Sequence, residues 1–314
     1  MHYASRASAS HPNRSNRKVH LKSDKFDPHS CGTQFMQFRS LRRSVSIGIR
    51  ASGAFLGFLI IVIASFTGNS AAADDTGAAV KQNEQQARAV IDAMVQALGG
   101  DRWLSMENRE YEGRRSGFYN GNPTGAIVDY FEFHKFPDQD RTDFTKKRDV
   151  VQILTGQEAW EITYRGKKAL PKELAEAALR RRDHSIEMAI RVWLKDPRTV
   201  LFYEGQRTVQ RHLADQVKII SATNDSITIQ TEVENHLPVR RSYQWRDPVY
   251  KDKNESAEEY DDYHVVAGIP TPFAITSYQN GEMTDQRFLY RASYNVTLPP
   301  DTFNPDLTAI KVKK

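Results

Sequence analysis

Cysteine is all but missing from this chain: among 314 residues only Cys31 carries a thiol, and it precedes the one sustained apolar segment. Everything beyond that segment can form no disulfide, no cysteine-ligated metal site and no thiolate nucleophile. Gly117, Gly121 and Gly125 are followed by no Lys-Ser or Lys-Thr, and they sit where strands are joined rather than where a helix opens, so no phosphate loop is present. The histidines beyond residue 73 are His134, His184, His212, His236 and His264; none forms a His-Glu-x-x-His pair, and no metal is expected. A Gly-x-Ser-x-Gly elbow is also missing. Carboxylate pairs of the kind that cleave glycosides are always available among this many acidic residues, so their availability decides nothing. The run Glu258-Glu259-Tyr260-Asp261-Asp262 lacks the alternating ligands and central glycine of a calcium loop and reads as a solvated strand edge or loop. No resident cofactor is expected.

Long hydrophobic runs are equally scarce. The one that exists, Ala54 to Phe66, follows Arg42, Arg43 and Arg50 and precedes Ala71 and Ala73, small residues at the −3 and −1 positions before Asp74. That is the layout of a secretory signal cleaved after Ala73. A membrane-crossing helix needs about 20 apolar residues, so an uncleaved inner-membrane anchor is the alternative and not the first reading. Residues 1–35 read as a misassigned or disordered leader, because Met36 opens a signal of ordinary layout; 36–73 are the signal, and 74–314 a single exported domain. Asp74 stands where a lipid-modified protein would need cysteine, so the mature form is expected free of a membrane anchor, in the periplasm. The formal charge of +5 is positive only through residues 1–73, which carry +8: residues 74–314 hold 34 Lys and Arg against 37 Asp and Glu, a net −3. A nearly balanced surface has no nucleic-acid footprint.

What is present is pattern. Val80, Ala87, Val90, Ile91, Met94, Val95 and Leu98 recur at helical spacing and Gly99-Gly100 stops them, which predicts an amphipathic helix over 78–98. Strands are predicted at 109–118 and 126–135 around a glycine-bearing turn, at 150–154 and 159–164, at 226–233, at 239–245, and at 273–279 and 283–294 around Asn280-Gly281. A helical interlude runs from Lys172 to Leu194, with Asp183 as the expected cap of its second helix. The charged stretch Lys251 to Glu259 reads as a long hairpin loop. About ten to eleven antiparallel strands are expected, mainly β with helices at the start and the middle. Phe131 and Phe133 alternate with Val128 and Tyr130, so that strand is apolar on both sides and something must cover each.

This order of features resembles the LolA/LolB-like proteins, the outer-membrane lipoprotein-sorting family. The likeness is carried by Phe136-Pro137-Asp138 with Arg141, Gly156 with Trp160, Tyr203-Glu204-Gly205, His236-Leu237-Pro238-Val239, Tyr263 with Gly268-Ile269-Pro270 and Pro272, and the stretch from Asn295 to Phe303. The resemblance implies a curved antiparallel half-barrel whose concave apolar face, lidded by helices, carries acyl chains of lipoproteins or another lipid-like ligand, without enzymatic activity and with envelope proteins as further partners. On that view Lys172–Leu194 is the lid. Apolar strand residues chosen without knowing their face, namely Phe131, Phe133, Trp160, Ile227, Ile229, Tyr243, Trp245, Phe273, Ile275 and Phe288, are the candidate cavity lining. Two other classes stay open: an envelope hydrolase with a dispersed site, marked by titratable groups converging in one pocket, and a structural or interaction module, marked by a filled interior and an exposed apolar patch.

Overall fold

The computed structural model describes residues 71–308. The chain divides into two units, Met1–Phe66 and Thr67–Lys314, and every described residue lies in the second. The expected leader and the apolar part of the expected signal lie outside the described residues; Ala71 and Ala73 fall in the first turn of a helix.

That helix, α1 (Ala71–Ala97), is followed by the single turn α2 (Asp101–Leu104) and then by strands β1 (Asn108–Tyr119), β2 (Asn122–Lys135), β3 (Gln139–Phe144), β4 (Val150–Thr155), β5 (Glu158–Thr163) and β6 (Gly166–Ala169). Helices α3 (Lys172–Asp183) and α4 (Ile186–Arg191) and one 3₁₀ turn come next. The chain then runs through β7 (Val200–Val209), β8 (His212–Ile220), β9 (Ser226–Glu232), β10 (Pro238–Arg246), β11 (Lys253–Val266), β12 (Ile269–Gln279) and β13 (Glu282–Tyr294). The described residues thus form 13 strands rather than ten to eleven, in one open, wholly antiparallel sheet. Its order is β6-β5-β4-β3-β2-β1-β13-β12-β11-β10-β9-β8-β7. Every neighbouring pair but β1–β13 is consecutive in the chain, so hairpins build the sheet outward from its middle. The two edge strands, β6 and β7, are joined by the helical segment. Among the described residues no helix is long and apolar enough to cross a membrane.

Turn chemistry accounts for the hairpins. Asn280-Gly281 has φ of 52° and 82°, and Asn120-Gly121 has 48° and 71°, the left-handed pair that matches strand twist. Two expectations are corrected here. The stretch Lys251–Glu259 is mostly strand: the turn occupies 247–252, tied by the Asp247 side chain to the amides of Val249 and Tyr250 at 2.8 and 2.7 Å, and β11 then buries Glu258 while Asp261 and Asp262 stay exposed. Asp183 ends α3 instead of capping α4; the cap is Ser185, whose hydroxyl accepts from the Met188 amide at 3.2 Å.

The predicted face of α1 is the buried one. Ala87, Ile91, Met94, Val95 and Leu98 pack with Leu201, Val217, Ile219, Ile227 and Ile229 of β7–β9 and with Ile186, Ala189 and Ile190 of α4, whereas Val80 stays exposed. Gly99 is required where α1 turns away: its φ is +114°, and a side chain there would meet the Gly268 carbonyl.

Candidate functional site

The register of the central strands assigns each side chain to a face, because successive residues alternate. Arg109 and Tyr111 of β1 lie opposite His134 and Glu132 of β2 on one side and Tyr294 and Ala292 of β13 on the other; Arg115 lies opposite Arg287. The same face continues through Ile275, Tyr260 and Glu258 to Arg241. This inner face is the one the helices cover, and between helices and sheet lies a cavity of about 220 Å³.

Its wall is amphipathic. Leu98, Trp103, Met106, Leu154, Ile186, Ile269 and Ile275 supply apolar surface. The rest is a chain of ion pairs. Glu187 of α4 meets Arg109 at 2.5 Å, Arg109 reaches Glu132 at 3.6 Å, and Glu132 reaches Arg287 at 3.5 Å. Arg287 binds Glu258 at 2.7 Å, and Arg241 holds the other oxygen of Glu258 at 2.9 Å. Asp285 joins Arg287 to Arg115, and Asp140 is bound to His134 at 2.7 Å. The hollow is therefore not the uniformly apolar one that the resemblance implies.

Burial on its own would push these carboxyls up. For Glu258 the guanidiniums of Arg241, Arg287 and Arg181 overcome it and hold the group far below the usual range; Arg109 lowers Glu187, and the hydrogen bond from His134 lowers Asp140. Burial raises the hydroxyls of Tyr130, Tyr260 and Tyr263, which stay protonated. A carboxylate whose folded pKa lies below its unfolded one adds stability above the unfolded value and loses it as pH falls through the folded one. The melting temperature is accordingly expected to fall steadily as the pH drops below about 4.5, the region of an unperturbed Glu, and the fall should be shallower in Glu258→Gln. A melting temperature flat from pH 7 to pH 3 would show that these carboxylates do not couple to folding.

Three polar contacts tie the helical segment to the sheet across this cavity: Glu187 to Arg109, the His184 carbonyl accepting from Arg241 at 2.6 Å, and the Asp138 carbonyl accepting from Arg182 at 2.9 Å. Between them they reach β1, β10 and the β2–β3 turn.

Of the ten residues nominated from sequence, Ile275 borders the cavity. Ile227, Ile229, Tyr243, Trp245 and Phe273 also lie on the inner face, but the two isoleucines are sealed beneath α1, Tyr243 stacks on His184 at 4.3 Å, Trp245 lies under Arg180, and Phe273 packs beside Tyr111 and Leu289. Phe131, Phe133, Trp160 and Phe288 lie on the opposite face, where Arg148 covers Phe131 at 3.7 Å and Phe288 is 47% exposed. The structure does not bring these ten together. Sequence reading missed the charged residues, whose only signal was a charged or tyrosine side chain at alternate positions of a strand, as in Arg109, Tyr111 and Arg115 or Glu258 and Tyr260. Among the described residues, no group of three or more His, Cys, Asp or Glu side chains gathers in a metal-holding arrangement.

No family model matches the chain, and no curated protein matches it in sequence. Solved structures to which it is similar include a DUF1329 family protein from Desulfovibrio piger, at 12% identity and a TM-score of 0.48 over 69% of this chain and 97% of that one. A LolA superfamily protein from Nitrosomonas europaea is similar at 10% identity and a TM-score of 0.46, over 70% of this chain and 98% of that one. A domain assigned to outer-membrane lipoprotein sorting in Vibrio parahaemolyticus is similar at 7% identity and 0.47, over 68% and 97%.

Proposed function

We propose that this protein is an exported, non-enzymatic binder or carrier of an acylated or otherwise lipid-like ligand in the cell envelope, processed after Ala73 and acting on residues 74–314 as one domain. The observation that carries the reading is the amphipathic hollow between the helical segment and the inner sheet face, bordered by both apolar side chains and fixed charges. In this reading the sheet is a half-barrel. Twelve strand spacings would separate the edges of a flat sheet by roughly 58 Å, and one segment carrying α3 and α4 joins β6 to β7 while touching β1 and β10 on the way. Residues 172–194 are its lid, held shut by the three polar contacts described above. Release of ligand, to an acceptor protein of the envelope or to a membrane, requires those contacts to part.

A hydrolase is the second reading, favoured by the convergence of titratable groups that would mark one. Against it stands their state. A general acid needs a carboxyl raised toward neutrality, and Asp140, Glu187 and Glu258 are all shifted the other way. The charges of this cavity serve binding and closure better than proton transfer.

The test is uptake of a fluorescent fatty acid by the purified, delipidated protein. Saturable uptake that unlabelled fatty acid competes away is expected. A folded protein that takes up no such probe contradicts the proposal.

A further inference from the structure

Six buried side-chain polar atoms lack a hydrogen-bond partner among the described residues, and four belong to residues bordering this cavity: Arg109 Nε, Tyr130 Oη, Asp140 Oδ2 and Arg287 Nε, the last with Asp285 Oδ2 in ion-pair range at 3.5 Å. Such atoms are costly to leave unmade, and a polar group entering the hollow would offer them a partner. Tyr130 is the clearest. It is 1% exposed, it stands on the inner face opposite Phe144, and its hydroxyl makes no hydrogen bond. A phenylalanine would fill the same volume without that cost.

The charges point to the sign of the occupant. Of the arginines bordering the cavity, Arg109, Arg115, Arg182, Arg241 and Arg287 each have a carboxylate within ion-pair distance. Among the described residues Arg181 of α3 has none. It is an exposed side chain of α3 that borders the cavity. Arg115 and Arg287 stand opposite each other on β1 and β13 and border the same cavity as Arg181. An arginine remains charged at neutral pH.

We propose that the cavity binds the acidic group, a phosphate or carboxylate, of its ligand between the Arg181 guanidinium and the Tyr130 hydroxyl, with Arg115 and Arg287 strengthening the positive field. Arg181 supplies the charge-assisted bonds and the planar fork that suits such a group. Tyr130 donates a hydroxyl that the fold leaves unused. The free oxygen of Asp140 accepts from a hydroxyl on the same ligand. The proposal rests on the reading of this cavity as a ligand site, and it narrows the ligand to an acidic amphiphile.

Calorimetric titration of the full-length chain separates the sources of that group, with three probes: dihexanoyl phosphatidic acid, the neutral dihexanoylglycerol with the same chains, and inorganic phosphate. The acidic lipid is expected to bind at least about tenfold more tightly than the neutral one. Arg181→Gln should remove about tenfold of its affinity and Tyr130→Phe about three- to tenfold, while thermal melts show Tyr130→Phe folded and no less stable. Phosphate binding alone, weakened by Arg181→Gln, supports the anion site and tells against the lipid carrier. Equal binding of the two lipids overturns the anion site and leaves the carrier standing. Binding of no probe overturns both. A preference for the acidic lipid that neither substitution alters overturns the assignment to Arg181 and Tyr130.

Discussion

Replacing Arg287 by Met is expected to destabilise the protein by about 3–5 kcal/mol, the usual cost of removing one partner from a buried ion pair. Arg287 stands at the centre of the inner face, 17% exposed, with Glu258 at 2.7 Å and Glu132 and Asp285 both at 3.5 Å. Without it Glu258 retains Arg241 and Glu132 retains Arg109, but three carboxylates in a low-dielectric space lose the cation they share. The penalty is mainly that of charge left behind. Combining Arg287→Met with Glu258→Leu in one double variant should therefore cost less than the two single substitutions together. Equilibrium denaturation measures all three. A loss below about 1 kcal/mol in Arg287→Met would place the pair with solvent-exposed ones and undo the description of these ion pairs as buried.

The second large effect concerns a residue that sequence reading placed in the cavity. Ile229 is fully buried between α1 and the sheet, packed with Leu201, Val217 and Ile227. Ile229→Asp puts an unpaired carboxylate into that core, and a loss of more than about 4 kcal/mol is expected. The matched substitution Phe288→Asp, on the opposite face at a half-exposed site, should change stability by less than about 0.5–1 kcal/mol. Thermal melts of the two variants distinguish them. A folded Ile229→Asp that merely fails to take up lipid would mean that α1 does not seal this part of the sheet and that the hollow extends beneath it.

The contrast between those two residues shows what the sequence could and could not reveal. Period-two alternation in β9 and in β13 identifies a strand with two unlike faces, but it does not say which face the helices cover; that depends on how β1 and β13 meet, a pairing between residues 168 to 185 positions apart. Local signals were legible wherever the chemistry was local. The apolar stripe of α1, the Asn-Gly hairpins and the helical interlude all fall where the pattern put them. Strands β3, β6, β7 and β8 went unassigned because residues such as Gln139-Asp140-Arg141 or Gly166-Lys167-Lys168 offer little alternation of apolar and polar. The start of β11 reads as a loop for a related reason. Its acidic side chains look solvated in isolation, and only the neighbouring Arg241 and Arg287, brought by β10 and β13, make burial of Glu258 tolerable. The candidate site was illegible on the same ground: its charges are acceptable inside only as a set, and the set is assembled by the sheet.

Native mass spectrometry of the protein purified without detergent from the cells that make it tests the central claim most directly. A carrier with an amphipathic hollow is expected to retain an adduct of lipid mass, lost on collisional activation and reduced in Arg181→Gln. A single species at the mass of the bare polypeptide, in spectra gentle enough to preserve a known lipid complex run alongside, would contradict it.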